Sequence, residues 1–325
     1  MRQAAFVLRW AVKAITVIIA ITVINFFVIR LAPGDPAIVL AGEAGAGDQH
    51  FLEQVRADFG LDKPLLVQLE TYMKNVVTLD LGESYRSHRP VADMLFERLP
   101  ATLLLTGSAY VFALIFGPLL GALAASRPKT IADNILMVLS LFFYATPIFW
   151  VGLLLILVFS VHLGWLPPFG MYSLLPVHGT IAKAFDVLKH LVLPALTLGL
   201  FYIAVYVRLT RASMLEVASL EYVKTARAKG LPEWRVATAH IMRTALLPII
   251  TFAGLQAGYL VGGAVVVETV FAWPGIGRLA FDALFHRDYN LLLGVFLLSA
   301  LMVVFFNMIT DLLLHLADPR IGARS

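Results

Sequence analysis

The most patterned residues lie between Arg208 and Pro248, in the stretch RLTRASMLEVASLEYVKTARAKGLPEWRVATAHIMRTALLP. Met214, Val217, Ala218, Tyr222 and Thr225 recur at i, i+3 and i+4 steps, which predicts an amphipathic helix ended by Gly230. Pro232 and Glu233 then open a second helix that reaches about Arg243, so that two short helices meet at a glycine corner. The chemistry of such an element is recognition rather than bond-making: an apolar face to bury and basic residues to fix its register. Two surfaces fit it, a layer of anionic lipid headgroups or a groove on a soluble partner. Shape alone does not choose between them.

Catalytic patterns are missing. No Gly-Lys pair occurs, so the chain has no phosphate-cradling loop of its own. The eight histidines are scattered, none is followed by Glu as in HExxH, and there is no Gly-x-Ser-x-Gly elbow. Cysteine is absent, which excludes disulfides and thiolate metal sites, and no metal or cofactor site is expected on this chain. Glu268 and Asp311 fall at the ends of apolar runs, where water or neighbouring helices satisfy them, so a proton relay through the middle of the chain is unsupported. Asn25, His190 and Asn307 are expected to make interhelical hydrogen bonds.

The elements that must position these residues are membrane helices. Of 325 residues 60% are hydrophobic and only 14% charged, and the mean hydropathy is +0.84, far more apolar than a solvated domain. The isoelectric point of 9.3 does not indicate nucleic acid, because the basic residues cluster beside apolar runs. Charge-free runs at about 14–29, 99–126, 134–163, 190–207, 244–267 and 289–310 predict an all-α integral membrane protein with about six spans. The third span should stop near Leu163, where Gly164-Trp165-Leu166-Pro167-Pro168 cannot continue a helix. Arg2, Arg9 and Lys13 at the start and seven Lys or Arg in the 208–243 loop place both termini and that loop in the cytoplasm.

The predicted organisation is an uncleaved signal-anchor helix over 1–31, an external segment of short helices over 32–97, a membrane core over 98–316 and a cytoplasmic tail over 317–325. The five core helices are expected near 99–126, 134–163, 189–209, 244–270 and 289–314, with the cytoplasmic loop at 210–243. In the external segment Asp48 caps a helix ending at Gly60, Pro64 opens a second, and a third runs from Pro90 to Arg98. That segment either packs or gathers solute. Pro118, Pro147, Pro194 and Pro248 lie in or beside spans, where kinks serve packing or a gate.

At the loop the residues resemble the permease subunits of ABC importers for dipeptides, oligopeptides, nickel and glutathione. Thr225-Ala226-Arg227 stands where the coupling motif of that family has Glu-Ala-Ala, Gly230 holds its glycine, and the run YVKTARAKGL followed by a His, an Arg and Ala-Leu-Leu-Pro is similar to the peptide branch. The resemblance extends through Ala32-Pro33-Gly34-Asp35-Pro36, Phe59-Gly60-Leu61-Asp62, Asp80-Leu81-Gly82-Glu83-Ser84, Gly164-Trp165-Leu166-Pro167, VVVETVFAWPGIGRLAFDAL and DLLLHLADPRIG. It covers nearly the whole chain.

The resemblance implies the fold of an ABC type I importer transmembrane domain in the bacterial inner membrane. It also implies a homologous second permease subunit, two ATPase subunits that use ATP and Mg2+, and a periplasmic or lipid-anchored solute-binding protein; lipids surround the chain and nucleic acid is not a partner. It further implies ATPase coupling through Glu221, Tyr222, Thr225, Ala226, Arg227, Gly230, Leu231 and His240. Glu268, Phe271, Trp273, Pro274, Gly275, Gly277 and Arg278 form an outer turn, read as a gate or as an interfacial anchor. Tyr110, Tyr144, Thr146, Gln256 and Tyr259 are candidates to line the path, since a route for solute needs polar or aromatic groups. The competing classes are an ion-coupled secondary transporter, which would carry buried acidic pairs and repeats, and a membrane scaffold without transport.

Overall fold

The computed structural model describes residues 12, 15–27, 53, 62–78, 80–84, 86–174, 178–258, 264–286 and 288–317, without the side chains of 258 and 311–317. Apart from Glu53, the expected helix from Asp48 to Gly60 falls outside these residues, as do Tyr259 and the tail from 318. The elements are α1 (Ile15–Phe27), α2 (Leu65–Thr78), α3 (Val91–Ser126), α4 (Ile131–Ala145), α5 (Ile148–Leu155) and α6 (Thr180–Ala218). They continue with α7 (Glu221–Ala228), α8 (Glu233–Arg235), α9 (Arg243–Gly258), α10 (Val265–Val270), α11 (Ile276–Phe285) and α12 (Tyr289–Ala317). No strand occurs among the described residues beyond an isolated bridge between Glu83 and Pro90.

The protein is the all-α membrane protein expected from its composition. Among the described residues four stretches are long and apolar enough to cross a bilayer: α3, α6, Glu233–Ala257 and Tyr289–Thr310. The pair α4 and α5 makes a fifth if it counts as one span, and α1 is a shorter apolar helix within the first uncharged run.

Several boundaries differ from the sequence expectation, each for a local reason. The helix expected over 134–163 is broken, and its halves meet at 107°. Thr146 is extended (φ −81, ψ 135), as a residue before proline prefers, and Pro147 has no N–H to continue the ladder. Past α5 the chain widens into a π-turn over Ile156–His162, closed by Leu163 N–H on Val158 O. The helix expected over Pro90–Arg98 is the first part of α3, whose Val91 and Leu95 are buried, so packing carries the helix into the apolar run.

The helix expected to reach Gly230 from Met214 is also interrupted. α6 ends at Ala218, Ser219 Oγ hydrogen-bonds Glu216 O, and Leu220 turns extended (φ −71, ψ 149) before α7. The helix opened by Pro232 is not short. It continues through a π-turn at Val236–Met242 into α9.

The described residues cluster into two units. The first joins residues up to Pro100 with Arg278–Val304, and the second joins Ala101–Gly277 with residues from Phe305 onward. In the first unit, the loop before α3 is bonded to the start of α12. Ser84 Oγ donates to Asp288 Oδ2 at 2.5 Å, Asp288 Oδ1 accepts from Leu291 N–H in the first turn of α12, and Asn290 Nδ2 donates to Glu83 O. Gly82 sits at φ +73 against Asn290, which suits a residue without Cβ. Here too the rings of Phe26 on α1 and Tyr72 on α2 approach to 5.8 Å.

The second unit is built on α6, which lays Tyr202, Tyr206, Val207 and Thr210 against α3. The approach is close because α3 presents Gly117 to Tyr206 and Gly121 to Thr210, small residues one turn apart. A Cβ on Gly121 would lie 2.6 Å from Thr210 Cβ and 2.7 Å from Val207 O. Gly121→Leu is therefore expected to cost about 3 kcal/mol through overpacking and to lower the melting temperature of the detergent-solubilised protein. Gly107→Ala on the same helix meets nothing within 4 Å, and should be neutral or slightly stabilising.

Candidate functional site

The glycine corner is held by its own small core. Val223 and Ala226 of α7 are buried with Met214 and Val217 of α6, and with Val236, Ile241 and Ala245 beyond the corner. Val223 and Ala226 lie three residues apart on one face, which leaves Glu221, Tyr222, Lys224, Thr225 and Arg227 exposed. Ala226 is thus an inward residue that seats the helix. Val223, which the sequence reading passed over, does the same.

Hydrogen bonds fix the corner on both sides. Gly230 takes φ +76 and its N–H donates to Arg227 O, while Arg227 Nε reaches Glu233 Oε1 at 2.9 Å across the turn. Tyr222 OH bonds His240 O at 3.1 Å and Thr244 Oγ1 at 3.0 Å, joining α7 to the π-turn and α9. Leu231 is half-buried beside the core and His240 is half-buried on the π-turn. The result is one short rigid helix jointed at each end to a long helix.

A second clamp lies where α4 begins. Asp133 is 2% exposed and takes both a 2.6 Å bond from Arg211 Nε and a 2.8 Å bond from Arg211 Nη2, with Lys129 N–H donating at 2.8 Å. It binds α4 to α6 close to the corner. In the sequence Asp133 was one charge in a short loop, and its partner was one of seven basic residues.

The turn after α10 is also closely built. Glu268 is fully buried and its Oε1 accepts from Thr102 Oγ1 at 2.7 Å, while Ile276 N–H donates to the same hydroxyl at 2.7 Å. Trp273 Nε1 donates to Ala101 O at 2.8 Å, and Gly170 N–H donates to Phe271 O at 2.8 Å. Gly275 and Gly277 are buried against the Glu268 carboxylate, and a Cβ on Gly275 would overlap it. Phe271 and Trp273 are core residues, so Trp273 is not an interfacial anchor. Pro274 and Arg278 are half-buried.

The proposed path residues separate into two groups. Tyr110 is buried, its OH donates to Ala253 O and accepts from Tyr206 OH at 3.0 Å, and Tyr202 packs edge-on at 5.9 Å. Tyr144 is 46% exposed and stacks on Phe201 with an interplanar angle of 14°. Thr146 turns its hydroxyl back to Phe142 O, and Gln256 is half-buried on α9. His190 bonds Asp186 O in its own helix, not the neighbouring helix that was expected.

Among the described residues no cluster of His, Asp or Glu could hold a metal ion. Long apolar helices, with a jointed short helix exposed in the loop between two of them, are parts that a membrane transport subunit needs. The chain belongs to the family of binding-protein-dependent transport system inner membrane components, whose model matches residues 117–323, with the N-terminal model of such components matching residues 3–106.

A di/tripeptide transport system permease protein of Pseudomonas aeruginosa (strain UCBPP-PA14) is 41% identical over 331 residues, 98% of each chain. The dipeptide transport system permease protein of Escherichia coli (strain K12) is 40% identical over 333 residues, 97% of this chain and 98% of the relative. An oligopeptide transport system permease protein of Bacillus subtilis (strain 168) is 39% identical over 322 residues, 98% of this chain and 99% of the relative. Among solved structures, an inward-facing MetNI methionine ABC transporter matches with a TM-score of 0.53 at 19% identity, over 69% of this chain and 96% of that one, a likeness of fold. The chain is a multi-pass bacterial inner-membrane transport component, not an enzyme.

Proposed function

We propose that this chain is one permease subunit of an ATP-driven importer for peptides. The observation that carries the reading is the exposed short helix α7, seated on a core that includes residues of α6 and the α8–α9 rod and hinged at Gly230. A push on α7 moves two long helices, because only Ser219-Leu220 on one side and Lys229–Pro232 on the other are non-helical. The substrate class follows from the names of relatives that align over nearly the full chain.

In this reading a homologous second permease completes the path and a solute-binding protein delivers peptide on the face opposite the corner. Two ATPase subunits bind ATP with Mg2+ and receive α7, its core-turned Val223 and Ala226 leaving Glu221, Tyr222, Thr225 and Arg227 for contact. Both termini then lie on the ATPase side. The turn at Glu268 to Gly277 acts as a rigid outer corner, since Glu268, Trp273 and Ile276 are all hydrogen-bonded to Ala101 or Thr102.

The test is reconstitution of the chain with a sister permease, ATPases and binding protein in liposomes, followed by uptake of labelled di- and tripeptides. Uptake is expected to require ATP and to ignore imposed proton and sodium gradients. Uptake that follows an ion gradient without ATP would make the chain a secondary transporter.

A further inference from the structure

α6 carries two arginines one turn apart with opposite surroundings. Arg211 is neutralised by Asp133. Arg208 meets no carboxylate among the described residues: its Nε donates to Ala204 O at 3.3 Å, and its guanidinium lies 4.2 Å from the centre of the Tyr144 ring. Ala204 is one turn back toward the middle of the helix, so the side chain points away from the charged end marked by Arg211 and Asp133. Its ring partner Tyr144 stands on α4 about three turns, or roughly 16 Å of helix, beyond Asp133, on the apolar side of that charged end.

An arginine near the end of a span ordinarily extends toward the nearer water. Arg208 does the reverse. Its η nitrogens have no hydrogen-bond partner among the described residues, and stacking on a ring satisfies none of their donors. A guanidinium in this state at membrane depth is stable only beside a polar space, not against lipid tails. The helix face agrees: Phe201, Val205 and Arg208, at i, i+4 and i+7, are half-exposed, whereas Tyr202 and Tyr206 on the other side are buried.

We infer that Arg208, set over the ring of Tyr144, which itself stacks on Phe201, is a binding site for an anionic oxygen group within the membrane, and that the group is the carboxylate of the transported solute. The planar fork of donors matches a carboxylate in two bonds. The stacked ring presets the guanidinium plane, so little freedom is lost on binding. The inference rests on the peptide-importer reading and gives it a chemical preference: a peptide with a free C-terminus should be held in the path more tightly than its C-terminal amide.

The experiment uses the whole permease–ATPase complex in nanodiscs without binding protein, and measures weak binding of a tripeptide and of its C-terminal amide by saturation-transfer NMR. Wild type is expected to prefer the acid by about tenfold, the range of one charge-assisted pair. In Arg208→Gln the preference should vanish, and in Arg208→Lys, which keeps the charge but loses the fork and the stack, it should be intermediate. An unchanged acid-to-amide ratio in Arg208→Gln overturns the inference. A second arm compares phosphatidylcholine nanodiscs with discs rich in phosphatidylglycerol. If Arg208→Gln removes a dependence of ATP hydrolysis on anionic lipid and leaves the acid preference intact, the site holds a lipid phosphate and the solute assignment is overturned. Should Arg208→Gln fail to assemble, Arg208→Lys alone decides, with a wild-type ratio counting against the site. Failure of the wild-type complex to import with ATP would sink the importer reading, a separate result from the ratio.

Discussion

Gly275→Val is expected to prevent accumulation of the folded protein. Any Cβ at 275 falls on the Glu268 carboxylate, which is the end of a flexible side chain and in open space could swing aside. Here it cannot do so freely, because it is fully buried and held by Thr102 Oγ1, the same hydroxyl that accepts from Ile276 N–H. Displacing it breaks the Thr102 bond and forces a fully buried carboxylate out of its packed position, a loss on the order of 3 kcal/mol or more. Thr102→Val has nearly the same shape and removes both bonds of the hydroxyl, the one to Glu268 Oε1 and the one from Ile276 N–H, so it should cost about 2 kcal/mol. Fluorescence-detected size exclusion of membrane extracts reads both. A further check is non-additivity: Gly275→Ala should cost much less in a Glu268→Ala background than alone. Additive effects would mean that the turn does not rest on this contact.

The second large effect is expected at the corner. Gly230→Pro demands φ near −65° where the chain has +76, and removes the N–H that donates to Arg227 O. The joint between α7 and the α8–α9 rod must then rebuild, and the Arg227 to Glu233 bridge loses its geometry. The packed residues Val223 and Val236 lie on either side of this joint, so the complex should still assemble while ATP-dependent peptide uptake falls to background. Gly230→Ala is the control. Its Cβ meets no atom within 4 Å, so it carries only the left-handed backbone cost of about 1–2 kcal/mol, and most uptake should survive. Wild-type uptake by Gly230→Pro in proteoliposomes would remove the corner from the coupling pathway.

The parts of this protein that follow one-dimensional rules were legible in its sequence. Uncharged runs marked the spans, and Gly230-Leu231-Pro232 marked the corner, because a bilayer and a helix terminus each impose a local pattern. What was not legible depends on pairs far apart. Thr102 is a hydroxyl in a membrane helix, a residue type that usually bonds its own backbone, and nothing nearby announces that it serves Glu268. Arg208 and Arg211 read alike as members of one basic loop, yet one is paired and the other faces inward, a difference set by which residues of α4 lie opposite. Pro147 was visible, but a proline in a span is compatible with a slight kink or a sharp break, and only packing selects the 107° bend.

The bond from Ser84 to Asp288 joins residues separated by 204 positions. During synthesis at about 5–20 residues per second, the loop before α3 would wait roughly 10 to 40 s for its acceptor to leave the ribosome. Until α12 arrives, Ser84, Gly82 and the backbone of Glu83 lack the partners that complete their unit. The order of translation therefore makes the start of α12 the closing step for the loop before α3, and a nascent protein halted before Asp288 would present a membrane quality-control protease with that loop unfinished.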